Sequence, residues 1–401
     1  MPILFLIVFV GMAGFGIIFP ILPFMGEQMG ISDTGVGWVL ASYSIGQFIG
    51  GPIWGRLSDT YGRRPILIWS TALSALTYVM LAYASDFTSL FIVRFVSGIM
   101  AGNISTAFAY ATDLSDDKNR AKYLGWVSAA FAMGFFIGPM IGGLFAGDST
   151  ENVNFYLVSM VAAVITGVAF VAAIPLLKES LEDQNRKPLN LKVEAPRADS
   201  FKVFAGRQRL LVLVLLSFLV VQAGAINTSV LAFWIERYLE LGPRDISFIF
   251  GYIAFLTMIM HGGAVGPAVK RFGEGNTLRL SLIIYAVSLG VLSFNATFIG
   301  LMVAMTLLAI GFGVFTPALN SIISKNAAAN ERGAVMGLQQ SAASLARITG
   351  PILSLWVFDI FQGGSAFFLA AATLVPGIAL AFWVTRHSPE SQADAPSKAQ
   401  S

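Results

Sequence analysis

The sequence predicts an all-α membrane protein of twelve transmembrane helices arranged as two pseudo-symmetric six-helix bundles, and three observations predict it. Of its 401 residues, 56% are hydrophobic and 12% charged, with a mean hydropathy of +0.74, a balance rare in soluble domains. Twelve apolar stretches follow one another at roughly 3–25, 34–54, 66–84, 88–112, 121–146, 153–177, 210–236, 246–269, 277–294, 297–322, 333–358 and 364–385. Each is close to the ~20 residues that carry a helix across ~30 Å of hydrocarbon, with every backbone bond closed inside the segment. The second six also repeat the first. Arg120, Gly125 and Gly138-Pro139 recur at one constant offset as Arg332, Gly337 and Gly350-Pro351, the mark of a duplicated unit.

Taken in order, the first span is read as a retained helix, since it is too long for a signal-peptide core and has no basic leader; the chain begins almost inside it, as it would if a few residues preceded Met1. Spans two and three are joined by the run Gly55-Arg56-Leu57-Ser58-Asp59-Thr60-Tyr61-Gly62-Arg63-Arg64-Pro65, a short charged hinge that has to lie at a membrane face. The longest polar interruption, 178–207, contains Pro188 and Pro196 and separates six spans from six. The expected organisation is therefore an N-terminal bundle over 1–177, a cytoplasmic linker over 178–207, a C-terminal bundle over 208–386 and a polar cytoplasmic tail over 387–401. At an offset one residue shorter than that of the fifth and eleventh spans, Gly55 and Gly62 fall on Gly266 and Gly273 while Asp59 falls on Lys270. The second hinge is a degraded copy of the first.

Charge sets the expected orientation. With the 55–65 hinge inside, all 25 Lys and Arg lie on the cytoplasmic side or at its helix ends except Arg237 and Arg244 outside and Arg94 and Arg347 within spans. The positive-inside rule then places both termini in the cytoplasm. A net charge of +3 made of loop anchors gives no nucleic-acid surface. The chain has no cysteine, which excludes disulfide and thiolate chemistry. It has no His-Glu-x-x-His, no acid pair inside a span and no P-loop, which argues against an intramembrane enzyme and against direct drive by ATP. No cofactor or metal is called for.

The hinge resembles the loop between the second and third helices of major facilitator superfamily transporters, with Thr60 where that family usually has a basic residue. A second motif, Gly134-Phe-Phe-Ile-Gly138-Pro139-Met-Ile-Gly142-Gly143, puts three glycines on one helix face; such spacing serves tight helix crossing, and the whole pattern resembles the antiporter motif of drug–proton exporters in the superfamily. Gly16-Ile-Ile-Phe-Pro20-Ile-Leu-Pro23, Tyr43-Ser-Ile-Gly-Gln47, Arg94-Phe-Val-Ser-Gly98 and Ala111-Thr-Asp113 extend the likeness to the tetracycline-resistance exporters. The resemblance implies a proton-coupled exporter of drugs or other amphipathic molecules. It would work by alternating access as a monomer in a bacterial-type cytoplasmic membrane, in contact with lipid and driven by the proton gradient. An exporter or uniporter of an endogenous, anionic metabolite is the alternative, and an intramembrane sensor a more distant one.

By the same resemblance Gly55, Asp59, Gly62, Arg63, Arg64 and Asp113 form a cytoplasmic gate; the arginines would equally serve as topology anchors. Arg94 matches the buried arginine linked to proton coupling in that family, or else snorkels outward. The first-helix aspartate of tetracycline exporters has no counterpart here, because Gly11 occupies its place. No carboxylate remains in any span interior. The proton carrier would then be Glu236, next to Trp234 where burial favours the neutral acid and Arg237 the ionised one, or the gate acids, or the intramembrane His261. Arg94 and Arg347 either accept an anionic substrate group or bond carbonyls and amides such as Gln339 and Gln340. Helices one, four, seven and ten line the path in the superfamily, which points to Phe15, Phe19, Asn103, Gln222, Asn227, Trp234, Phe312, Phe315 and Asn320, with Tyr43, Gln47 and Gln340 beside them; helix packing explains most of the phenylalanines equally well.

Overall fold

The structure is a computed structural model that describes residues 1–116, 119–147, 153–182, 184, 186, 188, 208–326 and 331–386. Among these residues there is helix and loop only. Ten helices are long and apolar enough by themselves to cross a membrane. The other two spans of the twelve are also helical. Asp33–Tyr61, the second span, is a continuous helix diluted by its polar residues. The eighth runs from Pro243 through a π-helical turn, Met260–Ala264, to Gly273, whose φ of 75° and ψ of 160° break the helix Val265–Phe294 into the end of span eight and the whole of span nine.

Most helix ends and breaks have a local cause. Ser32 caps the second span by accepting from the Gly35 N–H at 3.2 Å, Asp86 and Ser89 form a capping box at the start of the fourth, and Asn154 caps the sixth, each satisfying otherwise unpaired N–H groups. Pro20 and Pro23 remove two donors, and the first span there passes through a short 3-10 turn, Phe19–Ile21, between Pro2–Ile18 and Leu22–Gln28. The fourth span is interrupted at Gly102 and Asn103, between Phe87–Ala101 and Ile104–Asp113. Hydroxyls inside the spans mostly bond back to their own helix, as Thr71 does to the Leu67 carbonyl and Thr166 to that of Ala162, so they add no unsatisfied group in hydrocarbon. Val164, Val168 and Val171, each about 60% exposed, fall on one side of the sixth span and give it an apolar outer stripe suited to lipid.

The described residues form two compact units. The first comprises Met1–Val193, Ser229–Phe255 and Pro351–Ile360; the second comprises Glu194–Thr228, Leu256–Gly350 and Phe361–Ser401. In the first, span one packs along span five, span two along span four and span three along span six, around a core of Leu4, Ile7, Leu67, Tyr110, Val127 and Ala130. In the second, span nine packs against spans ten and twelve. The units do not part at the linker: the last turns of span seven, the first half of span eight and the end of span eleven pack with the first six spans. Residues 387–401, expected as a polar tail, and most of the linker lie outside the described residues. The internal repeat survives in the backbone, since Gly62 and Gly273 both have positive φ, 102° and 75°.

Candidate functional site

The hinge is a closed polar network inside the first unit. Gly62 turns the chain between spans two and three in a conformation that a Cβ would strain. Arg63, nearly buried, donates through Nη1 to Asp59 and to Ser58 Oγ (2.7 Å), and through Nε to Asp113 Oδ2 (3.1 Å). Arg64 instead donates to the Ile174 and Leu177 carbonyls at 2.8 and 2.7 Å, and so satisfies the open end of span six. The expected gate residues Asp59, Gly62, Arg63, Arg64 and Asp113 are thus brought together, whereas Gly55 faces open space beside Ser105.

Sequence reasoning missed the group at the centre of this network. The Glu179 carboxylate accepts from the backbone N–H groups of Arg63 (2.8 Å), Arg64 (3.2 Å), Ser180 (3.0 Å) and Leu181 (3.1 Å), placing a negative charge at the positive end of span three. A Cβ on Gly62 would collide with it. Ser180 Oγ donates to Asp113 at 3.2 Å, and Tyr110 to the Lys178 carbonyl at 2.8 Å. The available signal was position: Glu179 is the first acid after span six.

The glycine face of span five lies on the backbone of span one. A Cβ added at Gly134 would meet the Phe9 carbonyl, at Gly138 the Ala13 oxygen (2.5 Å) and Gly16 Cα (3.0 Å), and at Gly142 the Ile17 carbonyl. Pro139 removes one backbone donor inside this helix and touches the other side of the crossing, since a Cβ on Gly16 would lie 2.8 Å from its Cδ. Gly143 points elsewhere, at Ser247. In the second unit, Gly350 repeats the crossing against Ala225 and Ile226 of span seven.

Arg94 does not snorkel. It is 1% exposed, its guanidinium lies 4.6 Å from the Tyr43 ring centre and 5.7 Å from that of Phe15, and Nε, Nη1 and Nη2 make no hydrogen bond to protein. Phe15 also packs on Phe19 and Phe135, so four of the expected residues form one aromatic-cationic cluster. A cavity of about 40 Å³ next to it is lined by Gly11, Tyr43, Tyr78, Ser97 and Asn103 among others. Asn103 itself bonds Ser70 Oγ at 2.8 Å. Gln47 is half-buried on span two.

In the second unit the Gln222 amide meets Thr349 Oγ1 at 2.7 Å, Gln339 donates to Asn320 at 3.0 Å, and Phe312 packs edge-on to Tyr285. Asn227 and Phe315 are buried; Gln340 is exposed. Arg347 reaches Ser344 Oγ at 3.4 Å rather than Gln339 or Gln340. His261 sits in the π-helical turn with Nδ1 2.9 Å from the Thr257 carbonyl; because a carbonyl only accepts, the proton is on Nδ1.

At the membrane face opposite the hinge, also within the first unit, Arg237 pairs with Asp33 through both terminal nitrogens (3.1 and 3.4 Å) and lies over the Phe358 ring. Thr34 donates to Asp359 at 2.8 Å. Glu236 is half-buried one residue from this pair and near fully buried Trp234. Burial pushes the Asp33 carboxyl up from the usual carboxylate range, Arg237 opposes that, and Asp359 and Glu27 add to it.

Residues 4–266 and 224–401 match the sequence profile of the Major Facilitator Superfamily. The chain belongs to this superfamily. Among curated relatives, Multidrug resistance protein 2 of Bacillus subtilis (strain 168) is 27% identical over 358 residues, 88% of this chain and 87% of that protein. The class C tetracycline resistance protein of Escherichia coli is 28% identical over 343 residues, 85% of each. The fold matches the human organic anion transporter MFSD10 (TETRAN) with a TM-score of 0.69 at 20% identity, covering 95% of this chain and 98% of that one. It matches the nucleoside transporter NupG with a TM-score of 0.73 at 14% identity, covering 96% and 97%. As a facilitator, this chain is a multi-pass membrane protein of a transporter family, the fold class expected from its sequence.

Proposed function

We propose that this facilitator is a secondary exporter of drugs or other amphipathic small molecules, driven by protons that enter in exchange. Both termini and the hinge would lie in the cytoplasm, in a bacterial-type cytoplasmic membrane. The observation that carries the reading is the crossing of spans one and five: the Gly-x-x-x-Gly-Pro motif, which resembles that of drug–proton exporters, packs backbone to backbone from Gly134 to Gly142, about two turns. The similarity to multidrug and tetracycline resistance proteins supports the same direction of transport. In this mechanism the hinge network around Arg63 holds one end state, its breaking admits the other, and the acids at the opposite mouth load the proton. With no carboxylate inside a span, Glu236 is the coupling acid we favour, and His261 the second candidate.

A second reading is supported by one observation. Arg94 is a buried cation with aromatic neighbours and no hydrogen-bonded counter-group, which suits an anionic substrate group and an endogenous acid as cargo.

Reconstituted vesicles with an imposed pH difference test the proposal. Wild type is expected to move a lipophilic cationic dye or tetracycline against its gradient only when the pH difference is present; transport that ignores the pH difference overturns proton coupling. Glu236→Gln is expected to lose gradient-driven transport while dye binding stays within about twofold, a change of less than ~0.5 kcal/mol. His261→Asn is expected to keep gradient-driven transport, because Glu236 is the favoured coupling acid; its loss would move the assignment to His261.

A further inference from the structure

The turn between spans eight and nine, expected from sequence as a degraded copy of the first hinge, keeps that hinge's ion pair between spans with the charges reversed. At the offset that matches the two turns, Lys270 stands for Asp59 and Glu274 for Arg63; at the offset of the fifth and eleventh spans, one residue longer, Lys325 stands for Asp113. Folding brings the last two together, as it does in the first unit. Glu274 Oε1 lies 3.0 Å from Lys325 Nζ, against 3.1 Å between Arg63 Nε and Asp113 Oδ2. In both places the residue after a positive-φ glycine ties the start of one span to the end of the next. A serine completes each cluster: Ser58 Oγ accepts from Arg63, whereas Ser321 Oγ donates to Glu274 at 2.7 Å, the two roles open to a hydroxyl.

Coulomb attraction depends on the product of two charges, so reversing both preserves it and reversing one turns it into repulsion. Charges that drift independently have no reason to reverse together and keep their contact. We infer that Glu274, Lys325 and Ser321 form a second gate clasp, holding in the second unit the same end state of the transport cycle that Arg63, Asp113 and Ser58 hold in the first. The inference rests on the proposed reading of the first hinge as a gate. The new sign has a local cause. Glu179 brings negative charge to the start of span three, whereas Glu274 stands at the start of span nine and supplies it directly. The Glu274 side chain is mostly buried and that of Lys325 more than half exposed, so solvent screens this pair and its loss is expected to shift the cycle without unfolding the unit.

The absence of cysteine makes the test direct. Tyr61→Cys and Phe272→Cys place spin labels at matched, exposed positions beside the two turns in the full chain in lipid nanodiscs without substrate, and pulsed electron resonance reads the distribution of their separations. Glu274→Gln and Lys325→Gln are each expected to change the ratio of the populated separations about threefold, in the direction in which Asp59→Asn changes it. Lys270→Asp combined with Glu274→Arg and Lys325→Asp gives the second turn the polarity of the first and is expected to return the ratio toward the parent's. A Glu274→Gln distribution that overlays the parent's while Asp59→Asn shifts overturns the inference. So does a shift opposite to that of Asp59→Asn, or a triple variant displaced as far as Glu274→Gln. A shifted Glu274→Gln beside an unmoved Asp59→Asn would remove the gate reading of the first hinge and leave the second clasp standing.

Discussion

Gly138→Leu is expected to abolish transport and lower thermal stability. A Cβ at this position lies 2.5 Å from the Ala13 carbonyl oxygen and 3.0 Å from both Ala13 Cα and Gly16 Cα, so every atom it meets belongs to backbone and no side chain can rotate away. Overpacking a single methylene into a dense site costs about 1–3 kcal/mol, and leucine adds a branched group beyond that. The first and fifth spans would have to separate, and the neighbouring crossings at Gly134 and Gly142, equally tight, would be lost with them. Gly125→Ala is the control: it lies on the same helix with no atom within 4 Å of its added Cβ and should behave as wild type. The measurement is dye efflux from vesicles together with the unfolding midpoint of purified protein; wild-type values of both in Gly138→Leu would remove the close-packing account.

Asp59→Asn is expected to leave the protein inserted and folded while reducing turnover by roughly tenfold or more. Arg63 keeps Asp113 and Ser58, which preserves the hinge, but loses one of two charged partners. A hydrogen bond to a charged group is worth about 1.5–3 kcal/mol. Asp59 is about a third exposed, so solvent screening trims this toward the lower end, where 1.4 kcal/mol is tenfold. The effect should fall on rate rather than stability, because the proposal makes this bond part of one end state only. A well-expressed Asp59→Asn protein with normal efflux would reduce the hinge to a topology signal.

The spans were legible because hydrocarbon leaves a chain so few options: every apolar stretch read from sequence falls on a helix wherever residues are described. What periodicity could not give was the local interruption. The break at Gly102 and Asn103 and the π-helical turn around His261 alter the backbone inside apolar spans without marking it in the hydropathy. In the hinge, the conspicuous charges Asp59, Arg63 and Asp113 were legible as a group, whereas Glu179 was not, because its role is to meet backbone N–H groups that no side-chain pattern advertises. Arg94 and Arg347 were legible as anomalies, but not as differently surrounded ones.

The matched glycines at 62 and 273 have a consequence for how such a chain ages. After a gene doubles, loop charges can drift, and here Lys270 stands at the position that matches Asp59. A residue with φ near +75° or +102° has no such freedom, since any side chain there costs ~1–2 kcal/mol. Ancestry is therefore written more durably in the handedness of two peptide turns than in the residues that made the first turn recognisable, and searching for left-handed glycines at a common offset would date back duplications whose sequence has otherwise faded.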